Sequence, residues 1–298
     1  MPFRDFFTKK IRRVNQKKPE DTPKPSSRIV FSRVGFISPK GIMQVNTNDK
    51  GLTSLLDWGE DARVSPNGMK IIFSAYPHTS EHELLNSQGI YNFSPEIHIM
   101  DVYGTNIQRL TLSEEMGSSF PRFSPDGTKI GFKRNKEGKS QIWIMDIDGK
   151  NIKQLTHEGH HSYFCWMPNG KIAFQREYEW TYTMDLNGIN EKKLTIFEKD
   201  DYEPVWSPDG EKVAFGNGKE LFIIESNGQN RRPITVLRGW IGNWSLDNCW
   251  LVFSSRKMNP NSAEIFIVRE DGKYEQRLTE NRPRQGKVSQ DFDPCWLP

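Results

Sequence analysis

Acidic residues and histidines recur just ahead of a short turn motif, most often Ser-Pro-Asp-Gly or a close variant of it. Carboxylates that meet in space bind cations, and histidines beside carboxylates can bind a metal ion or exchange protons. Aromatic side chains lie among them, and their faces attract cationic groups. We single out for this chemistry Glu60, Asp61, Phe120, His160, His161, Tyr163, Asp200, Asp201, Tyr202, Glu203, Trp240, Asp291 and Asp293.

A repeated phrase indicates the elements that must position these residues. Copies such as QIWIMDIDGKNIKQLT begin at Glu96, Gln141, Trp180, Glu220 and Glu264, with a worn copy at Gly41. The copies open with the apolar and polar alternation of a half-buried strand, and four of them continue through an Asp-Gly or Asn-Gly hairpin turn. A spacing of about 40 residues between copies is typical of radial repeat architectures.

The turn motif adds two more strands to each repeat. An aromatic or apolar strand ends just before it, and a run such as KIAF or KVAF follows it. Each repeat therefore predicts four short strands, which is the content of one propeller blade. The sequence predicts an all-β fold, a six-bladed β-propeller.

The two ends of the chain complete each other. Residues 291–298 form a first strand without its partner, and residues 28–57 lack a first strand. The predicted blades are 291–298 with 28–57, then 58–112, 116–157, 159–196, 200–237 and 239–280. Closure of the ring by strands from both ends removes exposed sheet edges. The predicted domains are a tail at 1–27 and a propeller at 28–298.

The repeated P-x-W-S-P-D-G and I-W-x-M-D-x-D-G-x-N phrases, over residues 28–298, resemble the TolB-like family of WD40-like β-propellers. The resemblance implies a partner-binding propeller, although its motif residues belong to turns and blade packing. It also implies that the residues just ahead of each turn motif open the innermost strand and surround the mouth of the central channel.

At that mouth we expect six carboxylates to converge, with His160 and His161 and the aromatic residues between them. Low-dielectric walls would focus a negative potential there. The predicted guest is a cationic group: a Lys- or Arg-rich segment, a free amine or a divalent ion. The alternative is structural, with the acids capping loops and pairing with Arg63 or Arg122.

The leading functional prediction is a non-enzymatic protein-interaction scaffold that binds a partner peptide or protein at the acidic mouth. The alternative is a metal-assisted lyase or hydrolase acting on a carbohydrate or peptide there, with the histidines as ligands or base. No cofactor is predicted, although a divalent cation could fit the mouth. A loop insertion at 75–95 adds polar and aromatic groups suited to protein contact.

The tail carries the basic charge of the chain. Eight Lys or Arg and three acids give residues 1–27 a net charge of +5, which leaves −2 for the propeller, so no nucleic-acid partner is expected. Apolar residues at helical spacing, from Phe3 to Val14, predict an amphipathic helix within residues 1–18. It would contact a membrane surface or a partner, or pack on its own propeller.

The compartment is predicted from the cysteines and the apolar runs. The three cysteines lack metal-ligand spacing and leave one unpaired in any disulfide scheme. No apolar run is long enough for a signal core or a membrane span. We expect a cytoplasmic protein with buried reduced thiols, in contact with a membrane at most peripherally.

Overall fold

The structure is a computed structural model of the chain. It describes residues 27–35, 41–48, 51–76, 94–112, 117–136, 138–177, 180–235, 237–259, 261–281 and 289–297. Almost all of the predicted tail and most of the predicted 75–95 insertion lie outside these residues. In the described part of the chain no helix is long and apolar enough to cross a membrane.

The described residues form six antiparallel sheets of four strands each, which confirms the six-bladed propeller. From the channel outward, blade 1 contains β24 (Ser289–Leu297), β1 (Arg28–Gly35), β2 (Gly41–Asn46) and β3 (Leu52–Leu56). Blade 2 contains β4 (Glu60–Val64), β5 (Lys70–Ala75), β6 (Glu96–Asp101) and β7 (Gln108–Arg109). Blade 3 contains β8 (Ser118–Phe123), β9 (Lys129–Lys136), β10 (Lys139–Asp146) and β11 (Lys153–Gln154).

The last three blades follow the same order. Blade 4 contains β12 (His161–Trp166), β13 (Ile172–Arg176), β14 (Trp180–Met184) and β15 (Lys192–Lys193). Blade 5 contains β16 (Tyr202–Trp206), β17 (Lys212–Gly216), β18 (Leu221–Glu225) and β19 (Arg232–Thr235). Blade 6 contains β20 (Gly239–Trp244), β21 (Trp250–Asn259), β22 (Ser262–Arg269) and β23 (Glu275–Arg277).

The two faces of the ring differ in their loops. Because strands alternate in direction, every innermost strand starts at one face, which also carries the connections between blades and between the second and third strands. We call it the connection face. The opposite face carries the Ser-Pro-Asp-Gly turns and the hairpins between the third and fourth strands. We call it the turn face.

The core is built from one phenylalanine in each blade. The apolar runs of the six second strands each supply a phenylalanine that is 0% exposed, namely Phe31, Phe73, Phe132, Phe174, Phe215 and Phe253. Burial of one such side chain stabilises the fold by about 1.5–3 kcal/mol. The repeated runs therefore build the same core contact six times.

The turn-face hairpins hold neighbouring blades together. In blade 3, the amide of Gly149 donates to the carbonyl of Asp146 at 2.9 Å. Gly149 has φ of 82°, and a Cβ there would come within 3.0 Å of the carbonyl oxygen of Leu110 in blade 2. The hairpin glycine is thus required both for the turn and for the close approach of two blades.

The ring closes as the sequence predicts. Strand β24, from the end of the chain, pairs antiparallel with β1, and the register joins Arg28 to Leu297 and Arg33 to Asp291. The guanidinium of Arg33 donates to both carboxylate oxygens of Asp291, at 2.6 and 2.8 Å. A charged pair that is this deeply buried fixes the register, because a one-residue slip would separate its members.

Candidate functional site

A cavity of about 380 Å³ opens at the connection face where the innermost strands begin. All six blades contribute to its wall. We call it the mouth cavity, and its polar and aromatic lining consists of Ser32, Glu60, Asp61, Arg63, Phe120, Arg122, Lys133, Tyr163, Phe164, Glu203, Trp240, Ser254, Phe292 and Asp293.

A β-bulge in each innermost strand determines which side chains face this cavity. In blade 5, Tyr202 pairs with Gly216 and Val205 with Ala214, so Glu203 and Pro204 both lie opposite Phe215. The extra residue reverses the alternation of side chains ahead of it. In every blade the cavity is lined by the residue three places before the valine or aromatic residue near the end of the innermost strand: Asp61, Phe120, Tyr163, Glu203, Ile241 and Asp293.

Four of these six wall residues have a left-handed backbone. Asp61, Phe120, Glu203 and Asp293 have φ between 52° and 56°. Such a conformation is uncommon for residues other than glycine and costs about 1–3 kcal/mol where it is strained. Strained backbone of this kind is concentrated at functional sites and lowers the stability of the fold. Its presence here supports the mouth cavity as a candidate functional site.

Four carboxylates and three cationic side chains share the mouth cavity. The guanidinium of Arg63 donates to a carboxylate oxygen of Asp293 at 2.9 Å and to its backbone carbonyl at 2.8 Å. Arg122 lies 4.0 Å from the same carboxylate. Burial opposes the charge on Asp293, but the two guanidiniums prevail and lower its pKa. Asp293 is therefore the charge-compensated acid of the cavity.

For the other three acids of the cavity, the charged form of the carboxyl group is disfavoured. Burial, reinforced by the negative charge of Asp293, raises the pKa of Asp61 to about 7. The same two causes raise the pKa of Glu203 to about 7, and they also raise the pKa of Glu60. Asp61 accepts hydrogen bonds from the hydroxyl of Ser74 at 2.9 Å and from the amide of Phe120 at 3.3 Å. Glu203 makes no hydrogen bond or ion pair with any residue that the structure describes, but the charges of Arg122, Lys133 and Arg63 partly offset the rise in its pKa.

The aromatic side chains of the mouth already face cations of the same chain. The ammonium of Lys133 lies 3.7 Å from the centre of the Phe120 ring, and burial lowers its pKa to about 8. The guanidinium of Arg256 lies over Trp240 at 5.3 Å and over Phe292 at 5.7 Å. These rings therefore position the chain's own charges around the opening.

Seven of the thirteen predicted site residues line the mouth cavity, and six do not. The seven are Glu60, Asp61, Phe120, Tyr163, Glu203, Trp240 and Asp293. Asp201 lies ahead of the bulge, is 2% exposed, and binds the guanidinium of Arg231 at 2.7 and 2.9 Å. Asp291 is equally buried in its pair with Arg33. The expected ring of six carboxylates is thus a set of four.

The histidine pair also lies away from the cavity. His161 is 0% exposed, its Nε2 lies 3.0 Å from the carbonyl oxygen of Glu158, and burial lowers its pKa to about 4. The backbone amide of His160 donates to Glu177 at 2.7 Å. Asp200 is exposed, and the ring of Tyr202 packs against Gly216. These residues support the ends of blades 4 and 5.

The cationic half of the site was absent from the predicted set. Arg63 and Arg122 lie two places before their turn motifs, at the spacing that returns to the channel after Asp61 and Phe120. That spacing could have predicted Arg63 and Arg122 as lining residues. Lys133 lies on a second strand, and no pattern in the sequence places it at the cavity. Among the residues that the structure describes, no group of three or more His, Cys, Asp or Glu is placed to hold a metal ion.

A pH dependence of stability follows from Glu203. The unfolded chain loses this proton near pH 4.5 and the folded chain near pH 7, so between these values the folded state binds more protons. The stability that Glu203 contributes therefore falls as pH rises from about 4.5 to 7 and stays level above that. The difference between its pKa values in the two states corresponds to about 3 kcal/mol.

We expect Glu203→Gln to flatten this slope and to stabilise the protein at pH 8 by roughly 1–3 kcal/mol. Urea unfolding between pH 5 and pH 8 measures both effects. The matched control is Glu211→Gln, because Glu211 is exposed in the turn that follows the same strand. Equal slopes for Glu203→Gln and the wild type would contradict the assignment.

Comparison with known proteins agrees with the fold. A family model described as the TolB beta propeller domain matches residues 85–243. The chain is 30% identical over 185 residues to Protein TolB homolog of Chlorobium luteolum, which covers 59% of this chain and 42% of that protein. It is 27% identical over 171 residues to Uncharacterized peptidase YuxL of Bacillus subtilis, covering 52% of this chain and 25% of that protein.

The chain thus spans between a quarter and about two-fifths of the length of these two relatives. Among solved structures, the crystal structure of TolB from Acinetobacter baumannii is similar with a TM-score of 0.71 and 19% sequence identity. That similarity covers 92% of this chain and 67% of the other. At this identity the likeness concerns the fold.

Proposed function

The chain belongs to the TolB β-propeller domain family, and from this premise we propose that it is a non-enzymatic interaction scaffold whose mouth cavity binds a cationic group of a partner protein. TolB proteins as a group bind other proteins, which supports a protein partner for this chain. The observation that carries the proposal is Glu203 in the cavity wall, whose carboxylate forms no ion pair with any residue that the structure describes.

The charge balance of the cavity favours a cationic guest. Arg63 and Arg122 are directed at Asp293, whereas Glu60, Asp61 and Glu203 keep raised pKa values because burial and Asp293 disfavour their charges. A lysine, arginine or amino terminus entering the cavity would supply the missing positive charge. The fold would then recover the energy that the burial of these carboxylates costs.

The size of the cavity limits what can enter. A volume of about 380 Å³ lies at the lower end of the range for ligand sites. It accommodates one or two side chains, or the end of a peptide, but not a folded domain. The partner therefore inserts a short segment, while the connections between blades contact its surroundings.

Affinity capture with the purified protein tests this proposal. We expect the wild type and Glu211→Gln to retain the same partner, and Glu203→Gln and Glu60→Gln to lose it by about tenfold or more, because each removes a charge that the guest neutralises. Glutamine keeps the shape of the side chain, so folding is preserved. Retention of every partner by Glu203→Gln at wild-type levels would contradict the site.

A further inference from the structure

The channel has a second opening, at the turn face, with a different chemistry. A cavity of about 330 Å³ there is lined by the proline or leucine of five turn motifs, namely Pro66, Pro125, Pro168, Pro208 and Leu246. The aromatic residues Trp166, Trp206, Trp244 and Trp296 complete its wall. It shares only Arg63, Arg122 and Tyr163 with the mouth cavity. We call it the turn-face cavity.

Exposed apolar side chains are concentrated on the face that carries this opening. Of the twelve large hydrophobic residues that are exposed in the described part of the chain, nine lie in turn-face turns and hairpins. These are Leu52, Met69, Tyr103, Ile107, Ile147, Ile152, Ile189, Leu246 and Tyr274. Single exposed apolar residues are ordinary, but nine on one face, with Leu246 in the cavity wall, indicate a surface that another segment covers.

The N-terminal segment leaves the fold at this same face. Arg28 begins β1 opposite Leu297, at the turn-face end of the closing strand. Ser27 is held there, because its carbonyl accepts from the amide of Thr47 at 3.0 Å and its amide donates to the Thr47 hydroxyl at 3.2 Å. Since β1 lies beside the innermost strand at a spacing of about 4.8 Å, residues 1–26 start close to the cavity rim.

The length and chemistry of this segment suit the surface. Residues 19–26 contain three prolines and span about 25 Å when extended at about 3.1 Å per residue, enough to reach across the turn face. Residues 1–18 carry apolar side chains at helical spacing, including Phe3, Phe6 and Phe7.

We propose that residues 1–18 dock on the turn face of their own propeller, with Phe3, Phe6 and Phe7 over the turn-face cavity and the basic side of the predicted helix directed away from it. The docked segment covers the apolar end of the channel. The mouth cavity on the connection face stays open, so the proposal is independent of what binds there.

Photo-crosslinking in the full chain tests the docking. With p-benzoylphenylalanine in place of Phe7, we expect intramolecular cross-links to peptides that contain Met69, Tyr103 or Leu246. The same probe in place of Arg12, on the opposite side of the predicted helix, should give at least fivefold lower yields. Equal yields from both positions would overturn the proposal.

Two exposed-residue variants make the test specific. Met69→Asp with Leu246→Asp should reduce the Phe7 cross-links at least fivefold, because charged groups would replace the apolar contacts. Leu112→Asp is the matched control, since Leu112 is 70% exposed on the connection face. It should leave the cross-links unchanged, and equal effects of the two changes would count against the docking.

Other occupants give distinct results, and each would overturn the proposal. Cross-links between two molecules would assign the turn face to a second copy of the chain. Cross-links to connection-face peptides, such as those of Tyr76 or Trp240, would place the segment at the opposite opening. Absence of intramolecular cross-links, together with co-sedimentation on phosphatidylcholine and phosphatidylglycerol vesicles, would assign the segment to a membrane surface.

Discussion

Deletion of residues 289–298 is expected to abolish the cooperative unfolding transition of this protein. The deletion removes β24, with the buried side chains of Cys295, Trp296 and Leu297, and leaves Arg33 buried without Asp291. Lost apolar burial and an unpaired buried charge together cost on the order of 10 kcal/mol. That is comparable to the whole stability of an ordinary domain.

Thermal unfolding followed by circular dichroism, with size-exclusion chromatography, measures this effect. The truncated chain should show no sharp transition and should self-associate through the uncovered edge of β1. Addition of a synthetic peptide of residues 289–298 should restore part of the transition, whereas a scrambled peptide should not. A monomeric truncated protein with the wild-type melting temperature would contradict the closure of the ring by β24.

Replacement of Arg63 by methionine should destabilise the protein by about 3–5 kcal/mol at pH 7. Arg63 is 7% exposed and makes hydrogen bonds to Asp293 and to the carbonyl of Ala62. Without the guanidinium, Asp293 is buried beside the carboxyl of Asp61 with only Arg122 to compensate it. The pKa of Asp293 must then rise, so the loss should shrink as pH falls.

Urea unfolding at pH 5 and pH 7 measures the change. Addition of Asp293→Asn to Arg63→Met should recover more than half of the loss, because the stranded charge is removed. The control is Arg256→Met, whose exposed guanidinium lies at the same opening and should contribute less than about 1 kcal/mol. A cost for Arg63→Met no larger than that of the control would contradict the buried charge network.

The fold could be predicted from the sequence because its determinants are local and repeated. The phenylalanine of the second strand recurs in all six blades, and the turn motif and the hairpin glycine recur in five. The pairing of the two ends followed from an incomplete blade at each end of the chain. These features require no knowledge of contacts between distant residues.

The site was only partly predictable, because the bulge reverses side-chain direction within each innermost strand. Strict alternation would point Asp201, Glu203 and Val205 to one side, but the extra residue turns Asp201 into the blade, where Arg231 binds it. Glu203 is left facing the channel. Bulges depend on how two strands pair, and no residue in the sequence marked them.

Ion pairs between residues of different blades were the second feature of the site that the sequence could not predict. Arg63 of blade 2 neutralises Asp293 of blade 1, and the two residues are separated by 230 positions in the chain. The alternative that paired the acids with Arg63 or Arg122 anticipated the kind of contact. The structure shows that Asp293 is the acid that the guanidiniums compensate, whereas the pKa values of Glu60, Asp61 and Glu203 stay raised.

The two ends of the channel thus differ in their lining. The mouth cavity contains four carboxylates, whereas the turn-face cavity has no carboxylate in its lining and is walled by prolines and tryptophans beside Arg63 and Arg122. A segment with a cationic group suits the first opening, and an apolar segment suits the second. This difference allows one propeller to hold a partner and its own N-terminal segment at the same time.

The central claim is that Glu203 neutralises a cationic group of a bound partner. Its most direct test is isothermal titration of the captured partner against the wild type, Glu203→Gln and Glu211→Gln between pH 5.5 and pH 8. Binding to the wild type should strengthen as pH rises through about 7, as the carboxyl of Glu203 ionises, and the increase should be smaller in Glu203→Gln alone. Equal affinities of the three proteins at every pH would contradict the account.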